Sequence, residues 1–245
     1  MTLAPSDPSG PARTTRADVV SVAFCPTPPL LLPEVEGRAA AETTDLRAAC
    51  ARALLALTAT GPAAVVVVGD GAAPGAPFGA GDAADLAGWG VGLVIPFSGP
   101  PRDGDRRVPL AHALGARLLD EAGFSGIRVG VGPEALAATL SELSGPVALL
   151  AMGDGSARRA VLAPGAPDVE AAAFDARVSE ALGTGDPAAL AALDPEEGER
   201  LTATGTSTWR SVGAVLQGFR ATAALHYDDA PFGVGYLVAD WTVAT

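Results

Sequence analysis

Short apolar, β-branched runs alternate along this chain with longer segments rich in Ala, Leu, Arg and Glu, the rhythm of strands and helices taking turns. Strands are predicted over Val19 to Cys25, Ala63 to Gly69, Val91 to Phe97, Ile127 to Gly132, Val147 to Met152 and Val234 to Asp240. Runs such as Val65-Val66-Val67-Val68 and Val147-Ala148-Leu149-Leu150 leave no polar face. That suits strands covered by helices on both sides, where alternation is not required. The expected fold class is α/β, three-layered, with a mostly parallel central sheet and helices on both faces.

Helices are predicted at Arg38 to Thr58, Pro109 to Ala122, Pro133 to Leu143, Asp168 to Leu182, Pro187 to Leu193 and Trp209 to Phe219. Asp186-Pro187 and Asp194-Pro195 each set an N-cap acceptor before a proline at the first helical position, and Thr208 is placed to cap the helix after it. Residues 1–18, rich in Pro, Ser, Thr and Gly and without a secretory apolar stretch, read as a disordered leader. The Gly/Ala/Pro-rich stretch from Gly71 to Gly90 and the charged loop from Gly99 to Arg107 do not interrupt the rhythm, so residues 19–245 are expected to form one domain.

The chain has 16 basic against 28 acidic side chains, a formal charge of −12 over 245 residues. A nucleic-acid surface needs clustered cations, so nucleic acid is not an expected partner. All the basic residues are arginine, and with no lysine in the chain Schiff-base chemistry and a P-loop lysine are excluded. With only His112 and His226 present, no three-imidazole site fits within one chain. Cys25 and Cys50 make no disulfide framework at this length and read as reduced thiols. Every apolar run is broken by Gly, Pro or Asp before membrane-spanning length. A cytoplasmic protein without a membrane partner is expected, and a monomer and a homodimer both fit.

In open α/β sheets ligands bind at the carboxyl ends of the strands, which directs attention to the residues just beyond them. After the first strand, Cys25-Pro26-Thr27-Pro28-Pro29-Leu30-Leu31-Leu32-Pro33-Glu34 is proline-stiffened and presents Thr27 or Glu34, or serves as a rigid connector. Gly69-Asp70-Gly71 offers a carboxylate or an ordinary turn. Gly153-Asp154-Gly155-Ser156-Ala157-Arg158-Arg159 joins an acid and a hydroxyl to two arginines able to clamp an anion, and its spacing is neither Walker A nor GxGxxG. His226, Asp228 and Asp229 form the densest set of candidate metal ligands, or a strand end with a capped turn. His112 falls in a helical pattern and reads as a packed or surface helix residue.

The segments Cys25-Pro26-Thr27-Pro28-Pro29-Leu30 and Gly153-Asp154-Gly155-Ser156-Ala157-Arg158, with the α/β rhythm between them, resemble the class III extradiol dioxygenases, in their catalytic B-subunit (LigB-like) family. The likeness is to a small, Ala-rich bacterial branch of it. The resemblance implies Fe(II) held by two histidines and a glutamate, a catechol chelating the metal, and a further histidine handling protons. The chain departs from that pattern where it matters. Thr27 stands at the metal-binding histidine after the first strand, Ala157 at the acid/base histidine, and Asp70 at the second strand. The expectation is a LigB-like protein with a degenerate iron site and a retained small-molecule cleft. Its catalytic candidates are Asp154, Ser156 and Arg158, and its ligand-binding candidates Thr27, Glu34 and Asp70. No cofactor is expected in that form. An active oxidoreductase would instead hold Fe(II) or another divalent metal through Asp70, His226 and Asp228, and a non-catalytic structural or interaction protein is the third alternative.

Overall fold

Six strands build one sheet in the order β5-β2-β6-β1-β8-β7. The computed structural model describes residues 17–36, 42–72, 77–103, 107–160 and 167–244. In chain order the elements are β1 (Ala17–Cys25), α1 (Pro33–Glu36), α2 (Thr44–Ala59), β2 (Ala64–Gly69), β3 (Ala83–Asp85), β4 (Val94–Pro96), α3 (Leu110–Glu121) and β5 (Ile127–Val131). They continue with α4 (Leu136–Glu142), β6 (Gly145–Met152), α5 (Ala171–Thr184), α6 (Pro187–Ala191), α7 (Pro195–Arg200), α8 (Thr206–Val215), β7 (Arg220–Asp229) and β8 (Tyr236–Ala244).

Strands β5, β2, β6 and β1 are parallel, and β8 and β7 add an antiparallel pair at one side. The valine run of β2 is buried along its whole length, as expected of a strand between two helical layers. Its alternate residues belong to two cores. Val65 and Val67 join Leu54, Leu57, Leu114 and Leu119 beneath α2 and α3. Val66 and Val68 join Phe174, Val178, Trp209 and Val212 beneath α5 and α8. The expected helix-sheet-helix arrangement is thus present. On the α5 side Trp241 meets Phe24 edge-on, with centroids 4.9 Å apart.

Several boundaries differ from those read from the sequence. The central sheet begins at Ala17, which pairs with Gly145, so two residues assigned to the leader belong to β1, while residues 1–16 lie outside the described residues. The strand expected over Val91 to Phe97 is only the three residues of β4, paired with β3 in a small separate ribbon. The helix expected from Arg38 is described from Thr44, and residues 37–41 lie outside the described residues. α8 starts at Thr206, so Thr208 lies inside the helix, buried, and does not cap it. Asp186 and Asp194 do cap their helices, accepting from Ala188, Ala189 and Glu196. Strand β7 was not among the predicted strands, beyond the alternative that His226 ends one, because an edge strand with six of ten positions exposed carries neither a continuous apolar run nor clean alternation.

Candidate functional site

The register of three neighbouring strands gathers the first candidates. Cys25 pairs with Met152, and Met152 with Gly69, so β1, β6 and β2 end level with one another. Thr27, Asp154 and Asp70 therefore leave adjacent strands, about 4.8 Å apart, on the same rim. The chain leaves β1 and β2 toward the layer of α2 and α3, but leaves β6 toward that of α5. Connections departing to opposite faces open a crevice between the strand ends, the usual ligand position in such sheets.

Asp154 and Thr27 interlock there. The Thr27 amide donates to Asp154 Oδ1 at 2.6 Å and the Thr27 hydroxyl to Oδ2 at 2.9 Å. Enclosure by protein raises the Asp154 carboxyl to a pKa of about 6, against the pull of the two Thr27 bonds, which favour the charged form. Tyr236, buried at the start of β8, has its phenol held well above the ordinary value, chiefly by burial and then by the Asp154 charge. The backbone of the loop is clamped as well. The Gly153 amide donates to the Cys25 carbonyl at 3.0 Å, the Asp154 amide to Thr204 Oγ1 at 3.1 Å, and the Gly205 amide to the Asp154 carbonyl at 2.8 Å. A Cβ on Gly153 would stand 2.3 Å from Gly205 Cα, so this approach of two backbones requires glycine.

A cleft of about 280 Å³ opens beside this pair, lined by Thr27, Asp70, Pro109, Leu110, Ala111 and Met152 with Thr204. Asp70 and Thr204 also line a neighbouring hollow of about 350 Å³ running along α7 and the start of α8. The Ser207 hydroxyl donates to Asp70 Oδ1 at 3.1 Å where the two meet. Behind the cleft, His112 is fully buried in α3, with Nε2 2.8 Å from the Val131 carbonyl and its ring edge-on to Phe78. A carbonyl partner makes Nε2 the protonated nitrogen, and burial holds the imidazole below its usual pKa, in the neutral form. A larger hollow of about 610 Å³ lies on the outer face of α5 and α6, away from the strand ends, and none of the candidate residues lines it.

Other candidates are drawn into structural roles. Ser156 is fully buried, donates to the Leu201 carbonyl at 3.0 Å and accepts from the Arg158 amide at 3.1 Å. Its amide donates to Asp175, a buried carboxylate that also receives Arg159 Nη1 at 2.8 Å and lies against Gly155 and Gly235. Arg158 does not line the cleft; its Nε is buried and unpartnered among the described residues. Glu34, on α1, faces Arg117 of α3 at 3.6 Å and does not line the cleft.

The metal set is not assembled. His226 lies inside β7, not at a strand end, and its Nε2 is 2.5 Å from Asp240 Oδ1. Asp228 accepts from Ser179 at 2.6 Å, and Asp229 accepts from the Ala230 amide. β7 stands four strand spacings from β2, roughly 19 Å, so His226 and Asp228 cannot share an ion with Asp70. Among the described residues no three His, Cys, Asp or Glu side chains gather into a metal-holding group. The iron centre implied by the resemblance does not fit the donors at the strand ends. Both Asp154 oxygens already accept from Thr27, and neither imidazole lines the cleft.

A scan against models of known protein families finds no match to the chain, and a search of curated proteins finds no significant relative. Thr204, Ser207, Tyr236 and Asp175 were missed in the sequence. Thr204-Gly205-Thr206-Ser207-Thr208 is a visible cluster of hydroxyls and glycine, and Tyr236 lies within the strand predicted over Val234 to Asp240. Asp175 carried no signal, because one acid in a helix reads as solvent-facing. No helix among the described residues is long and apolar enough to cross a membrane.

Proposed function

We propose that the chain is a LigB-like protein that has lost the extradiol dioxygenase centre and keeps the cleft, binding a small hydroxylated aromatic molecule without a metal. The observation that carries this reading is the Thr27–Asp154 interlock. A neutral hydroxyl occupies the position where the resemblance implies a metal-binding imidazole, and it is turned onto the neighbouring carboxylate. The cleft walls suit such a ligand. Leu110, Ala111, Pro109 and Met152 offer apolar contact to a ring, while Asp70, Thr27 and Thr204 offer polar contacts at the strand ends. Asp154 does not itself line the cleft; above its pKa of about 6 it is a carboxylate that fixes the Thr27 hydroxyl and amide at the cleft wall, while Asp70 is the carboxylate placed to accept from a phenol. Ala157 has no proton to give where the resemblance implies an acid/base histidine, which removes the other half of the ring-opening machinery.

The test is metal quantification of the purified chain, followed by anaerobic addition of Fe(II), then catechol and dioxygen with ring opening followed by absorbance. The reading predicts iron well below one per chain and no ring-opened product. One tightly held iron per chain, or ring opening on reconstitution, overturns it in favour of a working oxidoreductase.

A further inference from the structure

Among the described residues the outer edge of β7 is unpaired. β7 is last in the strand order and, among those residues, pairs only with β8. Among the described residues its backbone makes one other hydrogen bond, from Arg52 Nη2 to the His226 carbonyl at 3.5 Å, and Gly185 at the end of α5 packs beside the Ala221 carbonyl. A ten-residue edge strand without proline is a template for another strand, and chains that stay monomeric usually blunt such an edge. Here a bulge follows Leu225, but Arg220–Ala224 ahead of it is regular, with exposure alternating residue by residue.

The sequence of this edge is self-complementary. Phe219, the residue just before β7, and Leu225 within it are 50% and 40% exposed, two of the few large apolar side chains left in solvent among the described residues. They stand three residues either side of Thr222. An antiparallel partner of the same sequence, related by a two-fold axis through Thr222 and perpendicular to the sheet, sets each Phe219 opposite a Leu225. It also sets Arg220 opposite Ala224, Ala221 opposite Ala223, and the two threonines opposite each other. No like charges meet. Slipping by one residue in the pairing would oppose side chains from different faces of the sheet, and slipping by two leaves Phe219 and Leu225 unmatched.

We infer that β7 is a homodimer interface, pairing with β7 of a second copy about Thr222 to make one continuous twelve-stranded sheet. Two Phe219–Leu225 contacts remove apolar surface from water, and the ladder satisfies the open amides and carbonyls. This inference stands apart from the cleft and does not depend on its ligand.

Sedimentation velocity of the full chain across the micromolar range tests it, with Phe219→Lys, Leu225→Glu and the double variant compared with wild type. Both side chains are half exposed, so the variants should fold, and far-UV circular dichroism checks that they do. The expected result is a wild-type dimer, at least tenfold weaker association in each single variant, and recovery in the double variant, where each lysine faces a glutamate. A wild-type chain that stays monomeric throughout overturns the inference. So does a dimer indifferent to both single changes, or a double variant that fails to recover.

Discussion

Asp154 is held by two opposed effects, enclosure that disfavours its charge and two Thr27 bonds that favour it, and enclosure wins. Because the folded-state pKa of about 6 lies above the ordinary aspartate value of 3.8, the folded chain binds the proton more tightly. The stabilising difference is therefore complete at pH below the unfolded value, and it is lost as pH rises toward 6. Urea unfolding across pH should show stability falling over this window, by at most about 3 kcal/mol, and level above it. Asp154→Asn should remove most of that slope. Thr27→Val, which deletes the hydroxyl bond and keeps the shape, should move the carboxyl midpoint above the wild-type value in carbon-13 NMR. Asp175 gives a second prediction. With Arg159 and the Ser156 amide both relying on it, Asp175→Ala leaves a mostly enclosed arginine unpaired and should cost about 3 kcal/mol or more in thermal unfolding. Thr27 and Asp154 were legible as residues next to predicted strand ends, whereas Asp175 was not, since its burial comes from loops packed on α5 by tertiary contacts.

Among the elements, the strands with continuous apolar runs were read correctly because covering on both faces imposes that composition. Those that failed did so for physical reasons. β7 has no buried position and mixes small, polar and charged residues, and β4 belongs to a small ribbon whose pairing has no local signature. The candidate metal set failed at this level too. His226 and Asp228 were placed near the strand ends by sequence proximity to a predicted strand, whereas the strand order sends them to the far edge. The close approach of β6 to the start of α8 is a dependence that the sequence hid. Gly153→Ala should part these elements, lowering the unfolding temperature and disturbing the Thr204–Asp154 contact. Gly88→Ala, where a Cβ would meet nothing within 4 Å, serves as the control expected to be nearly silent.

Taken whole, the molecule is a mostly parallel sheet between two helical layers, with a crevice where neighbouring connections part to opposite faces. Its net charge of −12, the carboxylate of Asp70 on the wall and that of Asp154 held against Thr27 give that crevice a negative field. Neutral hydroxylated ligands should accordingly bind better than their carboxylated analogues, and salt should narrow the gap, as calorimetry on matched pairs would report. The layering was legible in the sequence, as was the lack of histidines at Thr27 and Ala157; that His226 and Asp228 stand far from Asp70 needed the strand order. The most direct test of a metal-independent cleft is a nitrogen-15 NMR titration of chelator-treated protein with catechol, above the Asp154 midpoint. The account predicts saturable shifts at the Thr27, Asp70 and Gly153 amides that weaken in Asp154→Ala. Silence at those amides, or binding that begins only when Fe(II) is added, would contradict it.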